Sequence, residues 1–162
     1  MAAQCLGGIP VPLYQDSVAQ EMKYVLDNAD IRFAVVENQE QTDKLLEIRE
    51  DCPKLETIIY EDTRGMNAYQ QEFLHCFADV QQAGKEFDQQ NKDFFETSIA
   101  QVSKSDISII LYTSGTTGVP KGVVLSQDNL IQASRSSADF DHLASCLLYT
   151  LTLPTTHGVE VS

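Results

Sequence analysis

Residues Ile107 to Tyr112 (ISIILY) form a mostly apolar, β-branched run that passes directly into Thr113-Ser114-Gly115-Thr116-Thr117-Gly118-Val119-Pro120-Lys121-Gly122. The first stretch has the composition of a buried strand. The second, with three glycines, a proline and four hydroxyls, reads as a polar loop. A short apolar run, Val123 to Leu125, then resumes as a second strand. From Ser126 to about Ala138 the pattern is helical, with Ser126 as the N-cap. The predicted order is therefore strand, polar loop, strand, helix. Leu147 to Leu153 is one further strand candidate.

The first sixty residues add to this order. Gly8 to Leu13 (GIPVPL) is extended, and its two prolines assign it to a sheet edge or end. Asp16 and Ser17 offer an N-cap, with Gln20 three residues beyond Ser17 as in a capping box. Val18, Met22, Val25 and Ala29 follow on one helical face. Arg32 to Val36 (RFAVV) is a buried-strand pattern. Leu45, Ile48 and Cys52 mark a second helix that Pro53 ends. Leu55 to Tyr60 (LETIIY) is another strand. Strands alternating with helices predict an α/β fold, a parallel sheet covered by helices.

The middle of the chain reads differently. Tyr69, Phe73, Phe77, Val80, Gly84 and Phe87 recur at helical spacing, with Gln and charged residues opposite. The expectation is one or two helices packing this aromatic stripe into the core, with a break at Gly84-Lys85. Asp88 to Lys92 (DQQNK) is linker-like but too short to separate domains. The 162 residues predict one domain.

Charge and cysteine content exclude several functions. Acids outnumber bases 24 to 11, a net charge of −13. Binding to a nucleic-acid backbone needs a basic surface, so it is not expected as the main role. A single nucleotide remains compatible. No apolar run approaches the roughly 20 residues of a membrane helix, and the N-terminal residues lack the pattern of a signal peptide. Cys5, Cys52, Cys76 and Cys146 are widely spaced, without a C-x-x-C pair. They read as reduced thiols of a cytosolic protein, not as a zinc site or disulfide framework.

The loop carries the chemistry. Gly115, Gly118 and Gly122 permit positive φ and close approach of another group to the backbone. Successive N–H groups in such a run can converge on an anion. Thr113, Ser114, Thr116 and Thr117 add four hydroxyls, and Lys121 a mobile positive charge. Pro120 stiffens the loop beside that lysine. These parts suit a polyphosphate lying over a strand-to-strand turn. The pattern is not the usual phosphate loop, which needs Gly-Lys followed by Ser or Thr. Nor is it a dinucleotide fingerprint, which needs G-x-G-x-x-G.

Tyr112 to Gly122 resembles the AMP-binding signature of the adenylate-forming enzymes: acyl-CoA synthetases, luciferases and the adenylation domains of peptide synthetases. Gly7 to Tyr14 (GGIPVPLY) is similar to a segment of their N-terminal subdomain, most of all in bacterial long-chain fatty acid–CoA ligases. Asp27 to Ile48 reads like the same branch. Leu153-Pro154-Thr155-Thr156-His157 echoes an L-P-x-x-H pattern of many members. The resemblance covers residues 7 to about 135 well and the last 25 poorly.

The resemblance implies a helix-covered, parallel-sheet portion of the large N-terminal domain. It implies a two-step reaction: a fatty acid carboxylate attacks the α-phosphate of Mg-ATP to give acyl-AMP, and the coenzyme A thiol then takes the acyl group. Thr113, Ser114, Gly115, Thr116, Thr117, Gly118 and Lys121 would cradle the β- and γ-phosphates, with Lys121 and Thr117 as the catalytic pair. His157 would line the fatty-acid or acyl-adenylate pocket. ATP, Mg²⁺ and coenzyme A are implied for the full-length enzyme, with a long-chain fatty acid as substrate. A lipid substrate is also compatible with peripheral membrane association of the parent enzyme. No metal ligand is assigned within the chain, and no oligomeric state is implied.

Two alternatives stay open on the residues: another acyl- or aminoacyl-adenylating enzyme, and a degenerate nucleotide-binding module without catalysis. Complete members of the family are several times longer. The expectation is a partial domain truncated at both ends, inactive alone, exposing faces that the rest of the enzyme would cover. His75, His142, the Glu61-Asp62 pair and the acids at Glu37, Glu40, Asp43 and Glu47 read as ordinary packing or solvent-facing groups.

Overall fold

The computed structural model describes residues 2–113 and 119–140. A short helical turn, α1 (Ala2–Cys5), precedes an extended segment and then α2 (Ala19–Asn28). β1 (Phe33–Val36), α3 (Gln39–Ile48) and β2 (Thr57–Tyr60) follow as a β-α-β unit. β3 (Leu74–Cys76) leads into α4 (Phe77–Gln90) and α5 (Phe94–Gln101). β4 (Ile107–Thr113), β5 (Lys121–Ser126) and α6 (Gln127–Phe140) complete the described chain.

β1, β2 and β3 form a parallel sheet in that order, with Ala34 opposite Ile58 and Ile58 opposite Leu74. Parallel pairing was expected for β1 and β2, whose separation in sequence leaves room for the α3 crossover. β3 was not expected. It has only three residues, and Phe73 and Phe77 flank it at a spacing that imitates a helix.

α2 shows how short signals set an element's ends. Ala19, Met22, Val25 and Leu26 are buried on one face. Val18 is the N-cap and 56% exposed, so the helix starts one residue later than Ser17 and Val18 is not part of its buried face. No side chain caps this start; Ser17 instead lies in the turn whose N–H donates to Tyr14 O. At the other end Asp30 adopts φ 53°, a left-handed conformation that Asp tolerates better than most residues. Ile31 N–H then donates to Leu26 O, and Asp30 N–H to Asp27 O. This pair of bonds closes the helix as a Schellman motif and turns the chain into β1.

α3 is capped by Asn38, whose side chain accepts from Gln41 N–H. Leu45 and Ile48 enter the core beside Met22, Leu26, Cys52, Leu55 and Ile58. Leu55 and Ile58 have no exposed surface. Each such aliphatic side chain contributes roughly 1.5–3 kcal/mol by leaving water. Cys52, expected on the second helix, follows a 3₁₀ turn (Arg49–Asp51) that prolongs it, and is buried.

One face of the parallel sheet is covered by this core. On the other, Phe33 is 59% and Val35 67% exposed. Parallel sheets normally bury both faces.

The aromatic stripe of the middle region departs from expectation. Phe73 packs against the core, with the Arg49 guanidinium 5.0 Å from its ring centre. Phe77, Val80 and Phe87, however, are exposed, and neither α4 nor α5 has a buried residue. Gly84 does not break α4, which runs through to Gln90; the interruption comes at Asn91–Asp93, inside and just beyond the linker-like stretch.

The Gly8–Leu13 segment forms no strand. It lies beside β4 through one bond, Ile110 N–H to Pro10 O at 3.2 Å. Its prolines lack the N–H groups that a ladder requires. Among the described residues no helix is long and apolar enough to cross a membrane.

Candidate functional site

β4 and β5 pair antiparallel, and their last pair is Thr113 opposite Lys121. The loop therefore begins and ends at two directly facing residues. In an antiparallel pair such residues project from the same face, with Cβ atoms roughly 4.5–5.5 Å apart. The hydroxyl of Thr113 and the ammonium of Lys121 thus leave one edge of the hairpin on the same side. Both are exposed. Ser114, Gly115, Thr116, Thr117 and Gly118, named as loop residues from the sequence, lie outside the described residues, as do His142, Cys146 and His157.

The next pair is Tyr112 opposite Gly122. A Cβ at Gly122 would meet Ile110 Cγ2 at 3.1 Å and Tyr112 Cζ at 3.3 Å. Gly122 therefore matters for space and not for a positive φ, which among the described glycines belongs to Gly7 and Gly65. The vacant side-chain position lets the Tyr112 ring lie against the hairpin.

α2 meets both stems of the loop. The Tyr112 hydroxyl donates to Asn28 Oδ1 at 2.5 Å. The Tyr24 hydroxyl donates to the Pro120 carbonyl at 3.2 Å. The two tyrosine rings stand edge to face, 6.4 Å between centres. Burial, reinforced by Tyr24, pushes the Tyr112 phenol above its ordinary value.

The far end of the hairpin is anchored by a reciprocal cap. Ser126 Oγ accepts from Asn129 N–H at 3.2 Å, and Asn129 Oδ1 accepts from Ser126 N–H at 2.9 Å. The expected N-cap at Ser126 is thus present, and it starts α6 directly behind β5. On β4, the fully buried Ser108 Oγ accepts from Gln4 Nε2 at 2.8 Å.

A sequence profile of AMP-binding enzymes matches residues 1–162. The chain belongs to this family. Among its relatives, the long-chain-fatty-acid–CoA ligase ACSBG2 of Xenopus laevis is 36% identical over 132 residues, which are 76% of this chain and 16% of the relative. ACSBG1 of Rattus norvegicus is 32% identical over 80% of this chain and 17% of the relative. This AMP-binding chain therefore spans less than a fifth of the length of these relatives.

Solved structures agree on the fold. An anthranilate–CoA ligase bound to anthranoyl-AMP matches 80% of the chain and 22% of its own, with a TM-score of 0.57 at 24% identity. A structure described as a long-chain-fatty-acid–CoA ligase of Rhodopseudomonas palustris matches 88% of the chain and 31% of its own, with a TM-score of 0.60 at 16% identity. The parallel sheet with its helices is accordingly part of an adenylate-forming fold.

The remaining candidates take ordinary places in this AMP-binding fold. His75 lies in β3, exposed, and not on a helix as expected. Glu61 and Asp62 follow the end of β2, and Glu37, Glu40, Asp43 and Glu47 are exposed. Cys5, Cys52 and Cys76 are free thiols. Burial and the neighbouring Asp27 push the Cys52 thiol up, which makes it a poor nucleophile. Among the described residues no group of three His, Cys, Asp or Glu side chains is gathered to hold a metal. Sequence reasoning missed Tyr24 and Asn28. They sit four residues apart on the exposed side of α2, and only their contacts with Tyr112 and Pro120, 84 and 96 residues away, distinguish them.

Proposed function

We propose that residues 112–122 are the phosphate loop of a partial AMP-binding domain belonging to a long-chain fatty acid–CoA ligase. One observation carries the reading: in a chain of this family, Thr113 and Lys121 face each other across the hairpin at the two ends of a glycine- and hydroxyl-rich segment. Lys121 would neutralise charge on the β- and γ-phosphate oxygens of ATP. Thr113, with Ser114, Thr116 and Thr117, would donate hydroxyl hydrogen bonds to them, and Gly115 and Gly118 would let backbone N–H groups approach. Such donors, fixed before the reaction, stabilise the charge that develops as pyrophosphate leaves. The relatives named as long-chain fatty acid–CoA ligases support a fatty acid and coenzyme A as the other substrates. His157 is proposed for the acyl pocket on its L-P-x-x-H context alone. Mg²⁺ would accompany ATP, and no ligand for it is assigned among the described residues. A cytosolic enzyme working beside membranes, where its lipid substrate partitions, fits these assignments.

Lys121→Ala tests the loop. The expected result is an ATP affinity lower by about tenfold to a hundredfold, the usual worth of a hydrogen bond to a charged group. Calorimetric titration with ATP measures it. Equal affinity for ATP before and after the substitution would remove Lys121 from the site. Palmitate-dependent exchange of pyrophosphate into ATP by the full-length protein tests the substrate class. Exchange driven by an amino acid instead would assign the chain to a different adenylating enzyme.

A further inference from the structure

The two ends of the loop are held by one helix. α2 accepts a hydrogen bond from Tyr112 through Asn28 and donates one to Pro120 through Tyr24. Tyr112 directly precedes Thr113, and Pro120 directly precedes Lys121. β4 and β5 pair only with each other among the described residues. A two-stranded ribbon is by itself only marginally stable, and its strands can twist against each other. Ties from a single rigid element to both strands remove that freedom at the end where the site lies. The ring contact between Tyr24 and Tyr112 links the two ties to each other. The space left by Gly122 keeps Tyr112 in reach of Asn28.

We propose that Tyr24 and Asn28 are positioning residues: through Pro120 and Tyr112 they fix where Lys121 and Thr113 stand relative to each other. Neither touches the phosphates. The functional part of this assignment rests on the phosphate-loop reading above; the geometric part does not.

The test uses the full 162-residue chain, ¹⁵N-labelled, with two readouts. Hydrogen exchange of the amides at 111–113 and 121–123 reports the stems without nucleotide. Amide shifts on titration with ATP report affinity. Tyr24→Phe and Asn28→Ala are each expected to speed stem exchange and to weaken ATP binding about tenfold, the scale of one lost hydrogen bond. Lys23→Ala, on the same helix, breaks the exposed pair with Asp51 and should move neither readout. Asn28→Ala combined with Tyr112→Phe should be no worse for ATP than either alone, because both remove one interaction. Unchanged stem exchange in both α2 variants overturns the proposal, whatever ATP does. Faster exchange with ATP binding equal in Tyr24→Phe, Asn28→Ala and the parent also overturns it, reducing the ties to fold support. A parent chain indifferent to Lys121→Ala overturns the phosphate reading itself and, with it, the functional part of this one.

Discussion

The region from α2 to β2 and the α4–α5 pair are built from similar material and end differently. α2, α3 and α4 all carry an apolar face opposite a polar one. In the first region the face closes on a sheet: Met22, Leu26, Leu45 and Ile48 meet Leu55 and Ile58, and little of any of them is left in water. In the second, Phe77, Val80, Phe87, Phe94 and Ile99 are exposed, and the Phe87 and Phe94 rings stand edge to face with 5.0 Å between centres. Periodicity in a sequence shows that a helix has an apolar face. It does not show what covers it.

The sharpest way to break this contrast is a pair of truncations. Leu45→Ala empties a site that is 1% exposed and is expected to cost about 2–5 kcal/mol. Phe87→Ala removes a ring that is 48% exposed and one edge-to-face contact. Its expected cost is about 0.5–1.5 kcal/mol. Thermal and urea melts of the two variants measure both. Equal losses would mean that α4 is covered in solution, and the contrast would collapse.

The smallest effect tests electrostatics in the well-packed region. Arg32 and Glu56 join the approaches to β1 and β2 by two exposed hydrogen bonds of 2.8 and 2.9 Å. The Arg32 bond holds the Glu56 carboxyl below its ordinary value. Its folded value then lies below its unfolded one, so the pair stabilises above the usual carboxylate range. That contribution is lost as pH falls through the folded value. Exposed pairs contribute little. Glu56→Gln should therefore shift the melting temperature slightly at neutral pH and not at all in strong acid. A large shift would mean that the unit depends on charge as well as on burial.

Much of the fold was legible because it is local. Leu45, Ile48 and Cys52 announce a helix and its end, and Ile107 to Tyr112 a strand. Ser126 starts α6 by a bond to a residue three positions on. The candidate site was visible only as composition: Thr113 and Lys121 were named from the glycine- and hydroxyl-rich segment, and the structure adds that they pair across the hairpin. Other features were not legible. β3 has three residues, too few for a period to appear. The GIPVPL segment has strand composition without the N–H groups to pair. The function of Gly122 depends on where the Tyr112 ring lies, which no pattern within the loop encodes.

The sequence by itself determined the alternation of strands and helices, the acidic surface, and a glycine- and hydroxyl-rich loop between two strands. Backbone propensity and side-chain chemistry act over a few residues and are readable there. Only the tertiary structure decided which apolar faces are buried, and that one helix near the N-terminus ties both stems of a loop some ninety residues away in sequence. Those outcomes depend on contacts between distant segments, whose energy exists only once the chain has brought them together.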